Sequence, residues 1–145
     1  MFYLISTQIM NDNTKAQSIF AYDDKDQAES AFHSTNGSNY ISETLKAWAT
    51  LVVDDIGNAQ FKKFAGDQST NEAYYLVSLQ NTGEAYPCSI AAYTALNEAK
   101  SAMEMTAASN CISETLKSWA CFVLNQIGGK LDGYSEQAEE PAPEE

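Results

Sequence analysis

An internal repeat limits the folds that are open to this chain. The segment 38–57, SNYISETLKAWATLVVDDIG, returns at 109–128 as SNCISETLKSWACFVLNQIG. At this offset of 71 residues, positions 18–58 align with 89–129 without a gap, and about half of the aligned pairs are identical. Repeated segments form the same local structure and bury their apolar faces against each other. We therefore expect two copies of one structural unit.

Each copy opens with the pattern of a β-hairpin. Residues 2–9 are rich in aromatic and β-branched side chains and lead into the turn-forming cluster 11–13, after which 18–22 forms a second strand. The second copy repeats the hairpin at 74–80 and 89–93. It is one residue shorter between the strands, where a surface turn tolerates the loss.

A helix is predicted after each hairpin, because apolar residues then recur with the 3.6-residue period. Asp23 or Asp24 can cap the first helix, and Thr94 can cap the second. Gly37 interrupts the first pattern, where the second copy has alanine. We expect the first helix to fray or end near this glycine.

The segments 45–53 and 116–124 fit two interpretations. As helices, their leucine, tryptophan and valine residues would form one apolar stripe that stops at a glycine. As strands, they would lead through a glycine turn into the short strands 59–64 and 130–134. The second copy is aromatic and β-branched throughout and is followed by Gly128-Gly129, which favours the strand.

The resulting fold class is α+β, with tandem β-β-α-β-β units. Each four-stranded antiparallel sheet would be covered by one helix, and the units would pack about a pseudo-twofold axis. The predicted boundaries are 1–66 for the first unit, 67–71 for a linker and 72–134 for the second unit. Residues 135–145 hold five glutamates, two prolines and no large apolar residue, so we expect a disordered acidic tail.

Composition excludes several classes of function. The chain has 20 acidic residues, eight lysines and no arginine, for a net charge of −12, which argues against direct nucleic-acid binding. Its three cysteines have no metal-binding or disulfide spacing and suit a reducing compartment. With no signal-like start and no apolar run of membrane-spanning length, we expect a cytoplasmic protein that does not bind membranes.

Few residues are candidates for catalysis or metal binding. His33 is the single histidine, and it lies beside the predicted apolar stripe of its helix. Asp23-Asp24 and Asp54-Asp55 could pair on a metal, but the second copy replaces both pairs with uncharged residues, so cap and turn roles are favoured. Nucleotide-binding, metalloprotease and serine-hydrolase motifs are absent. We expect no enzyme activity, no metal site and no cofactor.

The repeat also keeps polar residues that have no evident role in packing. Trp48 and its counterpart are kept too, either as large side chains packed between helix and sheet or between units, or as anchors at a partner interface. Recent duplication is the simplest explanation for the identity of the polar residues, and a doubled recognition surface would explain it too. The candidate interaction residues are Glu43, Thr44, Lys46, Trp48, Glu114, Thr115, Lys117 and Trp119.

The motifs FYLISTQ, AYDDKDQAESAFH, SNY and VVDDIGN resemble those of small uncharacterised proteins encoded by bacteriophages and gut bacteria. The resemblance covers one unit and, through the duplication, nearly the whole predicted folded region. It implies a phage-related origin and assigns no functional residue.

Small size, negative charge and the absence of catalytic motifs favour a non-catalytic interaction protein. The specific hypothesis is an inhibitor that occupies the basic site of a nucleic-acid-binding host defence protein, such as a CRISPR effector. One alternative is a module that sequesters a nucleotide-like signal in the groove between the units, with Lys46 and Lys117 as phosphate ligands. Another is a structural or assembly protein. The partner would carry a basic surface, and the chain would be a monomer with an internal pseudo-dimer or a small homo-oligomer.

Overall fold

The computed structural model describes residues 1–66, 73–126 and 128–136. Each copy forms two strands, a helix and two further strands, which confirms the predicted β-β-α-β-β unit. The first unit comprises β1 (Phe2–Met10), β2 (Lys15–Tyr22), α1 (Lys25–Ile41), β3 (Leu45–Val53) and β4 (Ala59–Gly66). The second comprises β5 (Tyr74–Asn81), β6 (Cys88–Tyr93), α2 (Leu96–Cys111), β7 (Ser118–Asn125) and β8 (Lys130–Glu136).

Both sheets are antiparallel and have the same strand order, β2-β1-β3-β4 and β6-β5-β7-β8. The strands β3 and β7 are therefore central, with a neighbour on each side and a buried layer on each face. This position explains their unbroken apolar runs, which left a helical interpretation open in the sequence. The strand interpretation is confirmed.

The two sheets pack face to face, and each helix covers an outer face. Strand alternation sends Ile5 and Leu51 of the first unit inward, while Leu4 and Val52 face α1. The second unit repeats this division. Its inward residues are Tyr75, Val77, Leu79, Ala120, Phe122 and Leu124, and its helix-facing residues are Leu76, Trp119, Cys121 and Val123.

Reciprocal contacts relate the two units by a pseudo-twofold axis. Gly57, in the β3-β4 turn, lies against the ring of Phe122 in the second unit. The equivalent Gly128, in the β7-β8 turn, lies against Leu51 of the first unit, which is the counterpart of Phe122. Each unit therefore places its glycine turn over the same position of the other, which is the arrangement of a homodimer fused into one chain.

The expectation that the first helix ends near Gly37 is wrong, because α1 continues to Ile41. Tertiary contacts hold its last turn: Asn39 is buried against the sheet, and the Tyr40 ring packs edge-on against Trp48 at 5.1 Å between centroids. These contacts offset the low helix propensity of one glycine.

The predicted caps and turns are confirmed in the first unit. The Asp24 side chain accepts a hydrogen bond from the backbone of Asp26, and Asp54 accepts two from the β3-β4 turn. In the second unit Ala95 occupies the N-cap position without a side-chain bond, so Thr94 is not the cap.

The second unit extends two residues beyond its predicted end at residue 134. The strand β8 continues through Ser135 and Glu136, which the sequence placed in the tail. Pairing with β7 and a hydrogen bond from Trp119 Nε1 to the Glu136 carboxylate account for this extension. The predicted linker and the remainder of the predicted tail lie outside the described residues.

Candidate interaction surface

The first turn between helix and strand is built by its own serine and threonine. The Ser42 backbone donates to the Asn39 carbonyl at 3.3 Å, and the Ser42 and Thr44 hydroxyls lie 3.1 Å apart. Asn11, in the β1-β2 turn, donates from its backbone and its side chain to the carbonyls of Thr44 and Glu43. The turn is therefore fixed between the end of α1 and the neighbouring hairpin.

The second turn repeats this local geometry. Ser113 donates to the Asn110 carbonyl at 3.2 Å, and its hydroxyl lies 3.1 Å from that of Thr115. The Lys117 backbone donates to the Asn81 carbonyl at 2.7 Å, which ties the turn to the β5-β6 connection. The identity of serine and threonine in both copies therefore follows from turn chemistry.

Two residues of each turn have no such explanation. Ile41 is 83% exposed and its counterpart Ile112 is 82% exposed, and both precede the turn hydrogen bonds. Glu43 and Glu114, two positions later, are also exposed. We call the segments 41–46 and 112–117 the first and second turn surfaces. Each presents an isoleucine and a glutamate at its exposed side.

The two lysines of the turn surfaces contact their own units. Lys46 donates to the Asn13 side chain at 3.1 Å. The Lys117 side chain packs over Gly83, with its Cε 2.7 Å from the position that a Cβ would take there. The described inner faces of the sheets are filled by the apolar core. Both lysines therefore contact residues of their own unit, and their role as phosphate ligands in a groove between the units stays a prediction.

Trp48 and Trp119 are buried at 5% exposure and lie on the helix-facing sides of their sheets. Trp48 contacts the ring of Tyr40, and the Trp119 indole donates to Glu136 at 3.3 Å. This placement corresponds to the packing alternative. Of the eight predicted candidates, the glutamates and threonines are exposed. The lysines contact residues of neighbouring turns, and the tryptophans are buried beneath the turn surfaces.

The sequence interpretation missed a partly buried polar pair in each unit. Gln8 donates to the Asn39 amide oxygen at 2.8 Å, and Gln80 donates to Asn110 at 3.0 Å. The Asn39 amide also donates to Thr50 at 3.4 Å. Both pairs tie the helix end to the first strand of the unit, β1 or β5, beneath the turn surface. The same glutamine and the same asparagine occur at equivalent positions of both copies, and this was the signal in the sequence that could have identified the pairs.

The other reactive side chains lie apart from these surfaces. His33 is 66% exposed and its Nε2 lies 3.6 Å from a Glu29 carboxylate oxygen. Burial raises the pKa of the Cys88 thiol, and it raises the pKa of Cys121 to about 11, so both remain protonated at neutral pH. In the described parts of the chain, no three histidine, cysteine, aspartate or glutamate side chains converge as metal ligands.

No protein-family model, curated protein or solved structure matches this chain. Within the described residues, neither helix is long and apolar enough to cross a membrane.

Proposed function

We propose that this chain is a non-catalytic interaction protein that binds a protein partner through its two turn surfaces. The observation that carries the proposal is the pair of exposed isoleucines, Ile41 and Ile112, at equivalent positions of both units. One exposed apolar side chain is ordinary, but its repetition is informative, because about half of the aligned positions have diverged. Tyr40 and Cys111, the residues just before these isoleucines, are also exposed, but they differ between the two units.

The chemistry of the turn surfaces favours a partner with an apolar pocket beside a basic patch. Ile41 or Ile112 would enter the pocket, and Glu43 or Glu114 would face the basic side chains. The net charge of −12 would increase the rate of association with such a protein. Inhibition of a nucleic-acid-binding defence protein remains the specific hypothesis, since basic surfaces of this kind bind phosphates.

The fold makes the proposed interaction bivalent. Tyr3 and Asp55, at one end of the first sheet, line a small cavity with Gln80 and Ser118, at the turn-surface end of the second sheet. The first turn surface joins the opposite end of β3, which is nine residues long. At the rise of a β-strand, the two surfaces are on the order of 30 Å apart. Each would bind a separate partner molecule or a separate site of one partner.

Affinity capture from bacterial lysate, followed by calorimetry with the purified partner, tests the proposal. We expect two binding sites per chain, one site after Ile41→Ser or Ile112→Ser, and no binding after both substitutions. Met105→Ser is the matched control, because Met105 is 73% exposed but its counterpart is Ser34. This control should retain both sites.

Salt dependence tests the charge of the partner. Affinity should fall as ionic strength rises, because exposed charges are screened over about 10 Å at 0.1 M salt. Removal of residues 137–145 separates the charge of that segment from the charge of the folded units. Binding that is unaffected by salt and by the double isoleucine substitution would reject the proposal. A defined homo-oligomer in light scattering that depends on Ile41 and Ile112 would instead favour the assembly alternative.

A further inference from the structure

A groove between α1 and β4 has polar features that the second unit lacks. Its volume is about 440 Å³, which lies within the range of small-molecule sites. It follows the second half of the helix and reaches Tyr40, the residue before the first turn surface. On the helix side the groove is lined by Phe32, His33, Asn36, Gly37 and Tyr40. Lys63 lines its β4 edge.

Asn36 is the buried polar group of this groove. Its side chain is 8% exposed, and its Oδ1 atom has no hydrogen-bond partner among the described residues. Buried amide oxygens are normally hydrogen-bonded, so an unpaired one lowers stability. The second unit has Ala107 at this position, buried within its core, so the fold does not require an asparagine there. The oxygen is shielded from solvent, so a ligand that donates a hydrogen bond reaches it only when the Asn36 side chain turns toward the groove.

Lys63 supplies a positive charge on the same face. It pairs across the sheet with Thr50, whose hydroxyl accepts from the helix residue Asn39, so its side chain lies on the helix side. Lys62 also lines the groove, but it pairs with Leu51, and its Cδ lies 3.8 Å from the position that a Cβ on Gly128 would take. In the described chain, Lys63 has no acidic partner.

Aromatic rings complete the groove. Tyr40 is 56% exposed, and its ring is held at 86° to the ring of Trp48. Phe32 and His33 contact each other edge-on at 5.4 Å. The second unit replaces these groove residues with Met103, Glu104, Ala107, Cys111 and Tyr134, which have neither the amide nor the positive charge.

We propose that this groove binds a small planar heterocycle that carries an anionic group, of the class of purine nucleoside monophosphates. The ring would stack on Tyr40, as bases stack on aromatic side chains. The amino group of the base would donate to Asn36 Oδ1, the kind of pairing that asparagine makes with adenine. The phosphate would bind Lys63. This site uses none of the residues of the turn surfaces, and it would make the protein a ligand-binding protein as well.

Titration of the isotope-labelled full chain with adenosine monophosphate tests the site by nuclear magnetic resonance. We expect shifts of the backbone signals of His33, Gly37 and Lys63 and of the Asn36 side-chain amide. The signals of Glu104 and Ala108, at equivalent positions of the second unit, are the internal control and should not move. Adenosine should bind more weakly than the monophosphate, and inorganic phosphate should bind more weakly still.

Two substitutions that install second-unit residues sharpen the test. Asn36→Ala and Lys63→Tyr should each weaken binding by roughly tenfold, as loss of one polar contact does. Asn36→Ala should leave the unfolding temperature unchanged or raise it, because it removes an unpaired buried oxygen. Lowered stability after Asn36→Ala would mean a structural role for Asn36 and would overturn the proposal.

Three further outcomes would also overturn it. These are no shift at millimolar monophosphate, equal affinity for adenosine and its monophosphate, and shifts confined to Lys63 that inorganic phosphate reproduces. The last result would indicate only the attraction of an exposed lysine for anions.

Discussion

The ring of Phe122 occupies the space that a side chain on Gly57 would need. A Cβ atom built on Gly57 would lie 2.7 Å from the ring carbon Cε1, and the glycine has a φ of +85°. At the symmetric position, a Cβ on Gly128 would lie 3.5 Å from Leu51, which is an ordinary contact, and the φ is +81°. The two equivalent contacts therefore differ. The glycine turn of the first unit packs tightly against the second unit, whereas the glycine turn of the second unit has space for a Cβ atom.

This asymmetry predicts different costs for the same substitution. Gly57→Ala should lower the free energy of unfolding by about 2–4 kcal/mol, because backbone strain adds to overpacking against Phe122. Gly128→Ala should cost about 1–2 kcal/mol, because it carries the backbone strain alone. Denaturation in urea measures both values. Equal costs for the two variants would contradict the interpretation of the Gly57 contact.

Gly37→Ala should stabilise the protein. Gly37 lies inside α1, and a Cβ atom there would meet no other atom within 4 Å. Alanine reduces the entropy of the unfolded chain and favours the helix, so we expect a gain of about 0.5–1 kcal/mol in the free energy of unfolding. Thermal or urea unfolding measures it, with Ala108→Gly as the reverse substitution in the second helix. A loss of stability for Gly37→Ala would show that the glycine is needed in the native state.

The partly buried amide pairs should differ in strength between the units. Asn39→Ala would leave the Gln8 amide and the Thr50 hydroxyl without their partner, at a cost of about 1–3 kcal/mol. Asn110→Ala should cost less, because the Nδ2 atom of Asn110 has no partner among the described residues. A double-mutant cycle on Gln8 and Asn39 measures the coupling directly. A coupling near zero would reject this pair as an anchor of the helix end.

Alkaline pH should destabilise the fold through its buried tyrosines. Desolvation raises the pKa of Tyr75 to about 12, against about 10 in an unfolded chain. Above pH ~10 the unfolded state loses this proton first, so stability falls by up to about 1.4 kcal/mol per pH unit until the folded pKa is reached. Burial also raises the pKa of Tyr3, so its effect has the same sign.

Tyr75→Phe isolates the contribution of Tyr75 to this pH dependence. The Tyr75 hydroxyl has no hydrogen-bond partner in the described part of the chain, so its removal should not destabilise the protein at neutral pH. The alkaline slope of the unfolding free energy should become shallower. An unchanged slope would place the alkaline transition on other groups.

Local patterns determined much of this fold before any tertiary contact was known. The repeat defined two equal units, and turn residues such as Asp54 and Gly57 marked the connections. Strand and helix periods identified the remaining elements, and the second copy favoured a strand for the ambiguous segment 45–53. These features depend on residues close in sequence, which is why they can be inferred from it.

Tertiary structure decided what depends on distant residues. It carried α1 past Gly37 through the packing of Tyr40 on Trp48, and it buried the tryptophans that were candidates for contact. It also explained the repeated serines and threonines as turn residues, which leaves Ile41 and Ile112 as the exposed apolar pair. Sequence alone specified two matching units. Only the packing of helix on sheet and of sheet on sheet decided which of their shared residues are exposed to solvent, because burial depends on contacts between residues far apart in the chain.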